Sequence, residues 1–290
     1  MKPCRCQDLK PGLTGMAPSK WITIKHSMAP GKVYRSIDGP SKKYTQEDCY
    51  IRAWIPVFHK SNFALVVGPH YRTEQLELKS YGENPINQLS GWRLRSMGVD
   101  IKSFIKLDST SYLVAGSNIN KSGNLTNYSD QNVPLNYTLM SAFIKKKSDR
   151  KEIGFGIMVS KSQNLRILPI LVFNYNNPSG KSGIEIMLPK KVAYRYNLSP
   201  KDILYFRSEA VSKNYYTYGA DKQGALFRLI DLDTGVQYDR QINKLIGVEL
   251  FAGYRKNISN TLPLGIIPVR TSGLAASLEI YIKPPFKSKK

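Results

Sequence analysis

The chain has 290 residues, 41% of them hydrophobic, and a mean hydropathy of -0.34. No apolar run approaches the roughly 18 residues that a membrane-crossing helix needs, so that class is excluded; a β-barrel, in which only alternate residues face lipid, is not. The formal net charge is +22, from 43 Lys+Arg against 21 Asp+Glu, which suits nucleic-acid phosphates and equally suits anionic headgroups or lipopolysaccharide at a membrane rim.

Residues 1–20, "MKPCRCQDLKPGLTGMAPSK", read as a flexible lead-in. They lack the apolar stretch of a secretory signal, the feature that argues most against a membrane location. Cys4, Cys6 and Cys49 are too few and too oddly spaced for a disulfide framework or a zinc site.

Beyond residue 20 no helical period persists, and period-two segments rich in Tyr, Ile, Val, Leu and Phe do. Strands are predicted near 21–27, 49–57, 62–78, 93–106, 111–119, 136–145, 151–160 and 165–175. More are predicted near 183–188, 191–198, 202–212, 224–238, 243–255 and 273–284. The segment 183–198 reads as two strands, because a single one would put Lys190 in phase with Ile186, Leu188, Val192 and Tyr194. A lysine on that oily row costs about 2–4 kcal/mol at the bilayer midplane. A turn at Pro189-Lys190 removes the conflict, since proline suits a strand end.

The joints alternate in length for much of the chain. Segments 29–48, 79–91, 119–135, 213–223 and 256–272 are long, while 59–62, 107–110, 146–150, 199–201 and 240–243 are short. Long loops at one end and short turns at the other characterise an up-and-down transmembrane barrel. The fold expected is therefore all-β: an antiparallel up-and-down transmembrane β-barrel of about 12–14 strands. The barrel is expected over residues 21–286, with a basic tail at 287–290.

Charges fall on the face opposite the oily rows. Arg207 and Glu209 oppose Leu204, Phe206 and Ala210; Asp231 and Asp233 oppose Ile230, Leu232 and Val236; Glu249 opposes Val248 and Leu250. In the last strand Glu279 and Lys283 oppose Leu274, Ala276, Leu278, Ile280 and Ile282. Arg228 breaks this pattern unless it lies at headgroup level. Arg195, Arg207, Glu209, Asp231, Asp233, Glu249 and Glu279 make a candidate charge network in the lumen, able to pair across strands. Tyrosines near strand ends, among them Tyr175, Tyr196, Tyr238 and Tyr254, suit the aromatic girdles of a barrel.

The stretches "LRILPILVFNYN" at 165–176, "IEIMLPKKVAYRYNLSPKDILYF" at 184–206 and "VELFAGYRKN" at 248–257 resemble an uncharacterised family of outer-membrane β-barrels, a domain of unknown function common in Bacteroidota-type Gram-negative bacteria. The resemblance implies an envelope location and no particular activity. Phe286 resembles the terminal aromatic by which barrel-assembly machinery recognises last strands, although "KSKK" follows it.

His26, His59 and His70 form no triad with a serine and an acid that spacing can identify. No catalytic set, metal site or cofactor is expected. The expectation is a non-enzymatic outer-membrane barrel, acting as a narrow pore, an uptake protein or an envelope scaffold. Its partners are then outer-membrane lipid or lipopolysaccharide, the assembly machinery and small solutes, with no nucleic acid. The competing reading is a soluble all-β basic protein that binds nucleic acid or acidic glycans.

Overall fold

The computed structural model describes residues 13, 20–34, 42–78, 94–124, 133–162, 164–218, 224–261 and 272–283. The strands run β1 (Ile22–Tyr34), β2 (Lys42–Ala53), β3 (Ile55–His59), β4 (Phe63–Leu78) and β5 (Leu94–Lys106). They continue as β6 (Ser111–Gly123), β7 (Leu135–Ser148), β8 (Lys151–Lys161), β9 (Leu165–Asn176) and β10 (Ser182–Leu188). The last are β11 (Lys191–Asn197), β12 (Asp202–Tyr218), β13 (Gly224–Gln241), β14 (Ile246–Thr261) and β15 (Ser272–Ile282). No helix occurs among the described residues.

Apart from β2 and β3, each strand pairs antiparallel with its sequence neighbour, and β1 pairs with β15, from Ile22↔Ile282 to Met28↔Ala276. Both β2 and β3 pair with β4, through Arg52↔His70 and then Ile55↔Val67. They are one stave interrupted at Trp54, so the sheet closes as a barrel of 14 strands. Closure removes the open edges that a sheet cannot leave in lipid.

The alternation is inverted relative to a water-soluble domain. Leu274, Leu278, Ile280, Phe155, Ile167 and Leu250 stand exposed on the outer wall. Lys32, Asp48, Glu74, Arg195, Asp231 and Asp239 are buried inside it. Exposed Tyr175, Tyr194, Tyr196 and Tyr254 lie on that wall as well. A continuous apolar exterior of this kind is the surface of a protein solvated by hydrocarbon.

The turn at Pro189-Lys190 forms as expected, with Lys190 N–H donating to Met187 C=O at 2.8 Å. The predicted long joints are shorter than expected where they are described. β1 runs on to Tyr34, β2 starts at Lys42, β6 reaches Gly123, β12 reaches Tyr218 and β14 reaches Thr261. The segment 79–93, the lead-in apart from Leu13 and Lys20, Phe286 and the tail at 287–290 lie outside the described residues.

Two irregularities shape the lumen. Between Ala29 and Lys32 the β1–β2 register shifts by one residue, at Gly31 with φ of 70°. This bulge turns Lys32 inward, where simple alternation from Ile22, Ile24 and Met28 would have pointed it at lipid. The second is the shortness of β10 and β11, which pair with β9 only from Leu171 onward and with β12 only up to Glu209. Above that hairpin β12 leans across the barrel and bridges β6 in parallel, at Tyr216↔Gly123. Gly123 permits the approach: a Cβ there would sit 2.1 Å from the Tyr216 carbonyl oxygen.

Candidate functional site

The lumen is layered. At the short-turn end, register puts Asp239 opposite Glu249 and Glu249 opposite Glu279. Like charges in directly opposed positions repel. Lys20 offsets this, its Nζ lying 2.6 Å from Glu249 and 2.5 Å from Glu279. The Tyr281 hydroxyl donates to Asp239 at 2.6 Å. Arg195 is fully buried and donates to Asn176 at 2.6 Å and Asn197 at 2.8 Å, with Glu185 3.6 Å away. Tyr205, Arg207 and Tyr281 are buried in the same half, which side chains pack closely.

Toward the other end the charges pair across wider spans. Lys213 lies 3.4 Å from Asp48 and 3.2 Å from Glu74. Glu74 also accepts from Tyr215 at 2.6 Å and from Gln46, and Asp48 accepts from Ser27. Arg255 grips Asp233 with two bonds, Nε to Oδ1 at 2.6 Å and Nη2 to Oδ2 at 2.8 Å. Lys32 meets Asp231 at 3.0 Å, and Asn257 donates to the same carboxylate at 2.9 Å.

All seven residues of the proposed network point inward. Among themselves they form only the Arg207–Glu209 pair, within one strand. Lys20 brings Glu249 and Glu279 together, while Asp231 and Asp233 take Lys32 and Arg255 as partners. Lys20, Lys32, Asp48, Glu74, Lys213 and Arg255 complete the layers. Arg255 shares a face of β14 with Glu249, and register brings it opposite Asp233.

Between the layers lies a cavity of about 590 Å³. Among the described residues its lining carries Arg52, Arg72, Lys161, Arg166, Lys190, Lys213 and Arg228, against one carboxylate, Asp100. Asp100 is already engaged by His70 at 3.5 Å, Arg52 at 3.7 Å and the Asn118 amide at 2.7 Å. A polar ladder continues from it, Asn120 to Asn118 at 2.5 Å and Ser122 to Asn120 at 2.7 Å. His70 therefore lies inward, its Nδ1 3.5 Å from the Asp100 carboxylate. No group of three or more His, Cys, Asp or Glu capable of holding a metal occurs among the described residues.

A closed antiparallel barrel with an oily outside and a charged, basic inside defines a transmembrane β-barrel protein. The chain belongs to the family described as Domain of unknown function (DUF6268), whose model matches residues 94–261. No curated protein matches it. Among solved structures, the COG4313 outer membrane channel from Pseudomonas putida F1 is similar at 9% identity and a TM-score of 0.46, covering 94% of this chain and 99% of that one. The Pseudomonas putida toluene transporter TodX has 9% identity and a TM-score of 0.36, covering 94% and 91%. The translocator domain of autotransporter NalP from Neisseria meningitidis has 9% identity and a TM-score of 0.38, covering 93% and 91%.

Proposed function

We propose that the protein is an integral barrel of the outer membrane that takes up or passes a small anionic solute, with no chemistry of its own. The observation that carries this reading is the cavity and its cationic lining. A cavity lined by seven ammonium or guanidinium groups and, among the described residues, one carboxylate attracts anions and repels cations. The packed short-turn half supports a narrow, selective passage rather than a wide porin. Outer-membrane lipid or lipopolysaccharide would surround the apolar band, and the outer membrane is where closed barrels of this kind reside.

Planar bilayers with the purified protein and a KCl gradient test it. The expected result is small conductance steps with a reversal potential displaced toward that of chloride. Cation selectivity overturns the reading, and silence at all voltages makes the barrel a scaffold. Partitioning into the aqueous phase without detergent would instead favour a soluble basic binder.

A further inference from the structure

We propose that the cavity continues sideways, through the low wall above the β10–β11 hairpin, into a binding chamber for a single-tailed amphiphile with an anionic head drawn from the bilayer. The proposal rests on the membrane reading above. Among the described residues, 165–170 of β9 pair only with β8, and 211–215 of β12 pair only with β13. The resulting window is about 20 Å along the strand at the usual rise per residue. It lies at the level of the lipid, because Leu165 and Ile167 of β9 are exposed on the outer wall. Bare strand edges at that depth are tolerated only where they line a polar cavity.

The outer face of β12 confirms a change of environment. Leu204 and Phe206 give way along the same face to Ser208, Ala210, Ser212 and Asn214, and the last three line the cavity. Asn214 pairs with Arg228 of β13. Arg228 also stands on the outward phase, yet it is only 9% exposed and its Nε has no hydrogen-bond partner. It is a buried guanidinium that faces the chamber with bonding capacity to spare, not a charge at the headgroups. Leu168, Pro189, Ile230 and Ile258 line the same space. An anionic head on Arg228 with a hydrocarbon tail over these apolar residues satisfies both halves of the lining. A small hydrophilic anion satisfies only the first.

The test measures occupancy, so it fails separately from the conductance assay. Full-length protein in nanodiscs is titrated with a dansylated fatty acid, and the probe is then displaced with oleate, with lysophosphatidate or with dodecyl maltoside. Saturable binding displaced by oleate or lysophosphatidate supports the chamber, and the tighter of the two identifies a carboxylate or phosphate head. Arg228→Gln should weaken binding at least about tenfold, the worth of a charge-assisted hydrogen bond. Ser212→Phe should do the same by filling the chamber with no change of charge. Arg240→Gln, at the exposed short-turn rim, should leave binding unchanged. Heat-modifiable mobility on gels checks that each variant folds. No saturable binding, equal displacement by the neutral detergent, or unaltered affinity in both Arg228→Gln and Ser212→Phe overturns the proposal.

Discussion

The bond between Lys32 and Asp231 gives a quantitative test of how the lumen holds the barrel together. Both side chains are at most 2% exposed, and the bond joins strands that are not neighbours in the sheet. Lys32→Met keeps the volume and strands the carboxylate. Removing one partner of a buried pair costs about 3–5 kcal/mol. Asp231 keeps its bond from Asn257 at 2.9 Å, so the expected loss lies at the low end, about 3 kcal/mol. Adding Asp231→Leu removes the stranded charge and should recover most of that loss. A deficit of about 1 kcal/mol remains, because the Asn257 amide loses its shortest bond and keeps only those to the Ile230 and Ser259 carbonyls at 3.3 Å. Urea titration of the protein refolded into phospholipid vesicles measures both steps. A loss below about 1 kcal/mol for Lys32→Met, or a double variant no more stable than the single one, would refute a lumen held by paired buried charge.

Gly123→Val should push β12 off β6, at a stability cost of about 1–3 kcal/mol, and single-channel conductance should rise. Leu278→Lys, on the apolar band, should cost about 2–4 kcal/mol, whereas Leu245→Lys in a short turn should cost about 0–1 kcal/mol; the same urea titration compares them. In the turn after β5, Asp108 accepts from the Thr110 N–H at 2.6 Å and the Ser111 N–H at 2.7 Å, which holds its carboxyl down at about 2. A depressed carboxylate stabilises above its unfolded value and loses that contribution as pH falls through the folded one. Carbon-detected NMR should therefore place the Asp108 midpoint near pH 2, and Asp108→Ala should speed amide exchange at Thr110 and Ser111 at neutral pH.

The outer wall was legible because its signal is local. Leu274 to Ile282 alternate without a break, and the phase of Lys190 alone was enough to require a turn there. What sequence hid was everything that depends on closure. The Gly31 bulge reverses phase just before Lys32, so alternation points that side chain the wrong way. Lys20 precedes the first strand, where no phase exists to read, yet it reconciles two carboxylates from β14 and β15. β12 runs on to Tyr218, through a stretch expected as a long joint, because the polar Ser212 and Asn214 on its outward phase line the cavity beside the short β10–β11 hairpin. Arg228 looked anomalous for the same reason.

The seam between β1 and β15 has a consequence for assembly. Ile22 and Ile282 meet across about 260 residues, so closing that seam costs roughly 4 kcal/mol more chain entropy than closing a four-residue turn. Hairpins such as β13–β14 can form early, and the seam forms last. Until then the sheet is open at two bare edges, with apolar rows on β1 and β15 beside them, a template for pairing with a second unfinished chain. A nascent barrel is thus most exposed to aggregation at its final step, when nearly all of its strands are already in place.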